Sequence, residues 1–372
     1  MSTWKITDRV IEGLSSSKLS GALPTVDGSA LTGVPGITKS ASDPATDTNP
    51  SGGLGTLWGN TTSGELFSCS DATTDENVWT NIGAGTGDVQ PYTFQGTISG
   101  YTSGGRTPNK DVIDKFSFTS DGNATDHGDL HTTFGYSAGQ SSTTHGYIAG
   151  VYPYGNTIGK FAFVSNVTGT DVGNLFVGRD GGSGHNSETH GYTSGGFIPT
   201  TNNTIDKFTF ASDADATDVG NLPIANGFAA GQSSETHGYH SGGYAGPNSD
   251  TIDKFSFSID GNATDVANLT VARRYVPGQS SSTHGYSSGG VLPAFNVIDR
   301  FTFASDADAT DVGDLTVARG NQAGQSATTH GYLSGGSSSS NVIEKFEYAA
   351  SANSTDVGDI TVGRYGPAGH QV

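Results

Sequence analysis

From residue 92 to residue 372 the apolar positions come in short bursts, and the bursts return in the same order. Each cycle holds, with substitutions in some copies, a Gly-Tyr followed by small residues, an Ile-Asp-Lys-Phe-x-Phe segment, an Ala-Thr-Asp-Val-Gly-x-Leu segment and an Ala-Gly-Gln-Ser-Ser-like stretch. Phe116 and Phe118, Phe208 and Phe210, and Phe301 and Phe303 each flank one Ser or Thr. Period two is the spacing of a strand, and it sends both rings to one face. The tyrosines of the Gly-Tyr pairs, Tyr101, Tyr147, Tyr192, Tyr239, Tyr286 and Tyr332, lie 46, 45, 47, 47 and 46 residues apart. The segment is therefore six copies of one unit.

Four segments, A to D in chain order, recur within a copy. A is the stretch around Gly139-Gln140, Gly231-Gln232, Gly278-Gln279 and Gly324-Gln325. B is Thr-His-Gly-Tyr-x-Ser-Gly-Gly, with Ala149-Gly150 as a departure at its end; C carries the paired rings; D ends in Leu-x-x-Ala-Arg, as at 310–319. Turn formers such as Asp121-Gly122-Asn123 and Asp213-Ala214-Asp215 separate C from D. Four short strands joined this way make one antiparallel sheet. Such a sheet cannot bury both faces alone, and closing a stack into a ring hides the end faces an open stack exposes. The expected fold is all-β, a closed six-bladed β-propeller over 91–372. The first copy has a poor A segment, whereas the last copy runs on into an A-like Gly366-Pro367-Ala368-Gly369-His370. Residues 369–372 are expected to give the first sheet its inner strand.

Composition narrows the partners. Glycine is 56 of 372 residues and charged residues are only 14%, which suits short strands and tight turns. The net charge of -19 repels a phosphate backbone, so nucleic acid is not an expected partner. One cysteine, Cys69, allows no intrachain disulfide and reads as a small apolar side chain. No apolar run reaches the roughly 18 residues of a membrane span, and 1–13 lack the pattern of a secretory signal. No membrane insertion is expected, and a location outside the cell would be reached through assembly into a particle.

The Gly-Gly after segment B, the aromatic segment C and the Leu-x-x-Ala-Arg end of D resemble the kelch repeat. The Trp usual in the fourth kelch strand is missing, since Trp4, Trp58 and Trp79 all precede the repeats. Toward the N-terminus, Leu19-Ser20-Gly21-Ala22-Leu23, 27–34, Leu54-Gly55-Thr56-Leu57-Trp58 and 78–83 resemble modules of tail fibres and other virion proteins of tailed, marine-type bacteriophages. That resemblance implies a virion protein made in the host cytoplasm and displayed on the particle. Residues 1–50 are expected to be an extended low-complexity attachment segment and 51–90 a small β-hairpin module with a linker. Neither can build a full core alone, so a homo-oligomer, a trimer, and attachment to other virion proteins are expected.

Because strands alternate in direction, A–B and C–D loops leave one side of the ring, and B–C and D–A loops the other. The first set is nearly constant between copies; the second varies. Repeat arrays vary where they recognise and stay constant where they fold. The candidate binding residues are therefore Arg106, Tyr152, Tyr154, Phe197, Tyr244 and Phe295 in B–C loops, and Arg179, Phe228, Arg274, Tyr275 and Tyr365 in D–A loops. Aromatic rings stack on sugar faces and Arg donates to hydroxyls, which suits a host-surface glycan, though a protein epitope fits as well. Prolines in these loops lower the ordering cost.

Histidines 145, 190, 237, 284 and 330 precede the Gly-Tyr pairs, too far apart in a ring to share a metal, and read as hydrogen-bonding groups. The acidic C–D loops, 121–126 and 213–218, read as Asx turns rather than calcium loops. No catalytic set emerges: Cys69 lies outside the repeats, a sialidase-type arginine cluster is missing, and Asp111, Asp180 and Asp250 form no singled-out carboxylate pair. No cofactor or metal is expected. The sequence-level reading is a fibre or appendage protein that binds a host surface or a neighbouring virion protein. The alternatives are a structural decoration protein and, less favoured, a polysaccharide-degrading enzyme.

Overall fold

The computed structural model describes residues 37–82, 92–164 and 168–372. Most of the expected attachment segment, 1–36, lies outside the described residues. Two units separate, Met1–Pro91 and Tyr92–Val372.

In the first unit β1 (Thr38–Ser40) runs parallel to β2 (Leu57–Asn60), and β3 (Leu66–Asp71) and β4 (Val78–Asn81) continue antiparallel. Phe67, Cys69 and Trp79 form its core, and Trp58 meets Trp79 edge-on at 5.9 Å. Burial raises the Cys69 thiol pKa, in keeping with an apolar role. Asn49 bonds Asp75 at 2.7 Å and Asn77 bonds the Thr46 carbonyl at 2.8 Å. These bonds sew 46–49 to 75–77, so the expected break at residue 50 falls inside a folded sheet.

Among its described residues the second unit is all-β and holds six sheets of four antiparallel strands besides one two-stranded sheet, an arrangement consistent with a β-propeller. The second sheet is representative, with strands Ala138–Ser141, His145–Val151, Gly155–Ala162 and Thr170–Asn174 in order from one edge to the other. These are segments A to D. The first sheet takes its A strand from Ala368–Gln371, which pairs with Ser99–Ser103, as the surplus segment at the end of the repeats suggested.

The six A strands neighbour one another in a cycle: Ala138–Ser141, Ser183–Asn186, Ala230–Ser233, Gly278–Ser280, Ala323–Ser326, Ala368–Gln371 and back to the start. One glycine in each makes this possible. A Cβ on Gly139 would fall on the carbonyl oxygen of Gly369, one on Gly369 on that of Gly324, and so on through Gly278, Gly231 and Gly184 back to Gly139. Any side chain there would push neighbouring sheets apart.

Between sheets, the Gly-Tyr tyrosine of one stacks on the second ring of segment C in the next. Tyr147 meets Phe210 and Tyr192 meets Phe257 at 4.8 Å; Tyr332 meets Phe118 at 4.8 Å across the junction of sixth and first sheets. Fully burying such a ring stabilises by about 1.5–3 kcal/mol. In each C strand the register to D slips after the buried Ile, as between Ile205 and Asp206 or Ile298 and Asp299. A bulge re-aims the next side chain, and in four of these sheets that residue is buried against an arginine from the preceding copy. The pairs are Arg179–Asp206 at 3.1 Å, Arg273–Asp299 at 2.9 Å, Arg319–Glu344 at 2.5 Å and Arg364–Asp114 at 2.8 Å.

Candidate functional site

Each D–A connection places one residue in the left-handed region, at φ between 54° and 64°: Tyr136, Gly181, Phe228, Tyr275, Asn321 and Gly366. Their backbones form a closed cycle of hydrogen bonds. The Tyr136 amide donates to Gly366 O (2.9 Å), Gly181 to Tyr136 (2.6 Å), Phe228 to Gly181 (2.7 Å), Tyr275 to Phe228 (2.6 Å), Asn321 to Tyr275 (2.9 Å) and Gly366 to Asn321 (2.8 Å). The cycle needs only backbone, and glycine or asparagine fills the position in three copies at little strain. The other three copies carry a bulky aromatic there, at a cost of order 1 kcal/mol each. The fold does not ask for those rings.

They form the floor of a cavity of about 300 Å³ on the side of the B–C and D–A loops. Arg106, Tyr152, Tyr154, Phe197 and Tyr244 reach it from B–C loops, and Tyr136, Asp180, Phe228, Arg274 and Tyr275 from D–A loops. These residues come from the first four copies, so the cavity sits off the axis. Phe228 packs on Tyr275 at 4.5 Å, and Phe197 on Phe228 at 6.0 Å. The Arg106 guanidinium lies 3.8 Å from the Tyr152 ring centre, and that of Arg274 lies 4.5 Å from Tyr244. Cation–π contact holds both arginines against the aromatic wall. At the opposite end of the axis, Phe94 and residues from all six A strands line a small cavity of about 50 Å³.

Asp180 is the one carboxylate among the described residues that lines the large cavity. It is 3% exposed, and its Oδ2 has no hydrogen-bond partner. Burial pushes its carboxyl up to about 6, against the pull of the Tyr154 amide and the Arg106 charge. Its backbone is fixed by exchange with Phe197, whose amide donates to Asp180 O at 2.7 Å. A buried acceptor without a partner beside an aromatic cavity is a feature that folding alone penalises. It can accept a hydroxyl or amide proton from a bound molecule.

No protein-family model matches the chain, and no curated protein matches it. The site is therefore read from its own chemistry.

Of the residues expected from loop variability, Arg106, Tyr152, Tyr154, Phe197, Tyr244, Phe228, Arg274 and Tyr275 come together in this cavity. Three do not. Arg179 is 1% exposed and bound to Asp206, so it is a fold residue rather than a ligand residue. Phe295 is half-buried in its own loop, away from the cavity. Tyr365 stands 5.8 Å from Tyr136 beyond the lining residues. Tyr136 and Asp180 were not among the expected ligand residues. Tyr136 was legible, because Gly135-Tyr136 fills the position that Gly227-Phe228 and Arg274-Tyr275 fill in later copies.

The recurring histidines lie at the A–B turns. Nδ1 of His145, His190, His237, His284 and His330 each pairs at 2.8 Å with the preceding Thr hydroxyl. The acidic C–D loops hold neighbouring sheets together: Lys160 binds Asp213, Lys207 binds Asp260, Lys254 binds Asp306 and Lys345 binds Asp121. Oxygens engaged in this way serve the junctions.

Proposed function

We propose that 92–372 is a six-bladed β-propeller of kelch-like type acting as a binding module, and that its off-axis aromatic cavity takes a surface saccharide. The observation that carries this reading is the set of three aromatic residues, Tyr136, Phe228 and Tyr275, held in a conformation where the same turn elsewhere uses Gly or Asn. Rings of this kind stack on the apolar faces of pyranoses, while Asp180 and the two arginines supply directional hydrogen bonds. A volume of about 300 Å³ suits one or two sugar residues. The likeness of 19–23, 27–34, 54–58 and 78–83 to tail-fibre modules supports the wider reading, a fibre or appendage protein of a phage particle whose N-terminal region attaches it and whose propeller meets the host. A decoration protein that binds nothing is the reading against which this one is tested.

The test is a glycan array probed with the full chain and with Phe228→Gly and Tyr275→Asn, substitutions the turn already accommodates at Gly181 and Asn321. Binding to a defined set of glycans, weakened about tenfold or more by either substitution with melting unchanged, supports the site. Equal binding by all three proteins, or binding by none, removes it.

A further inference from the structure

Resting on the saccharide reading of the cavity, a second observation narrows the ligand. The chain has 36 acidic residues against 17 lysines and arginines. In the propeller most cations are committed to carboxylates. The four junction lysines pair with loop aspartates, and Arg179, Arg273, Arg319 and Arg364 pair with buried acids. Arg106 and Arg274 form no ion pair among the described residues, although carboxylates are plentiful. Both instead lie against tyrosine rings in the cavity wall. Asp180 keeps a buried acceptor without a partner beside them. Two cations thus face a cavity with a single buried acid, in a protein of net charge -19. That is an anion-receiving wall beside a hydroxyl-receiving carboxylate.

We propose that the saccharide bound here is an acidic one, a carboxylated sugar residue whose carboxylate meets the arginine-bearing wall and whose hydroxyls donate to Asp180. Arg suits this task because its planar fork matches a carboxylate and stays charged. Stacking on Tyr152 and Tyr244 pre-orders both forks, which lowers the entropy lost on binding. A neutral sugar could still stack on Phe228 and Tyr275, but it would leave the guanidinium groups without an anion.

The experiment uses the full chain and saturation-transfer NMR titrations with methyl glycosides of glucuronic acid, galacturonic acid and N-acetylneuraminic acid, each beside its own methyl ester. Esterification keeps the ring and hydroxyls and removes the charge. At least one acid is expected to bind about tenfold more tightly than its ester. In Arg106→Gln and Arg274→Gln that preference shrinks toward one, with thermal melts matching the wild type to report an intact fold; a preference kept in full by both variants would overturn the role of the arginine-bearing wall. Esters binding as tightly as acids in the wild-type protein would overturn the acidic preference and leave the saccharide site standing. Failure of every acid and every ester to bind would overturn both.

Discussion

The Arg364 guanidinium lies 2.8 Å from the Asp114 carboxylate, with both side chains fully buried, 250 residues apart in sequence. Arg364 belongs to the last copy and Asp114 to the first, so the pair joins the two ends of the repeat array. The first-to-second junction solves the same problem without charge. Phe134 occupies the arginine position and Gly159 the acid position, and a Cβ on Gly159 would stand 3.2 Å from the Phe134 ring. Arg364→Phe alone leaves Asp114 buried without a cation, and is expected to lose about 3–5 kcal/mol. Adding Asp114→Gly copies the Phe134–Gly159 arrangement and is expected to recover most of that loss. Thermal melts of the two variants check this; a double variant as unstable as the single would show that the charge pair itself is required.

One junction carries the acid without its partner. Asn226 stands where Arg179, Arg273, Arg319 and Arg364 stand in other copies, and burial pushes the Asp253 carboxyl up to about 7. Unfolded, the same carboxyl titrates near its ordinary value, so between about pH 4 and pH 7 the folded protein holds a proton that the unfolded chain has released. This group's contribution to stability therefore falls as pH rises through that window. Asp253→Asn is expected to match the wild type near pH 4 and exceed it by at least about 1 kcal/mol at pH 8. Chemical denaturation at both pH values is the measurement; a constant difference would mean that Asp253 ionises normally.

Histidines in the A strands titrate with the opposite sign. His185 and His370 are fully buried where other copies have Gln, and burial lowers each to about 4. His370 bonds Ser103 at 2.7 Å and the Gln140 carbonyl at 3.0 Å, linking the first sheet to the second. As pH falls below about 6.5 the unfolded chain takes up protons that the folded state refuses, and stability is lost down to about pH 4. His370→Gln, copying Gln140, Gln232, Gln279 and Gln325, should flatten the acid side of the melting profile between pH 6.5 and 4. An unchanged slope would place the acid sensitivity elsewhere.

The strands and their grouping in fours were readable because both follow from period and repetition. Alternating Phe in segment C, the glycine of segment A and the surplus A segment at the end of the repeats each leave a mark at fixed spacing. The bulge after the segment C isoleucine leaves no such mark, since register between strands is a tertiary outcome. Without it the Arg of segment D reads as a loop residue, which is why Arg179 was expected at the binding face and lies instead in a buried pair. Asp180 was hidden for a related reason: a loop aspartate looks solvated until the aromatic side chains of other copies close over it. The expected domain break at residue 50 missed the Asn49–Asp75 and Asn77–Thr46 bonds, which no local pattern encodes.

The most direct measurement is a crystal structure of the full chain soaked with the tightest ligand from the glycan array. The expected result is a sugar ring against Phe228 and Tyr275, with a hydroxyl within hydrogen-bond reach of Asp180 Oδ2 and a guanidinium of Arg106 or Arg274 at its polar edge. Ligand density confined to another surface, with this cavity empty at saturating concentration, would contradict the assignment of the binding site.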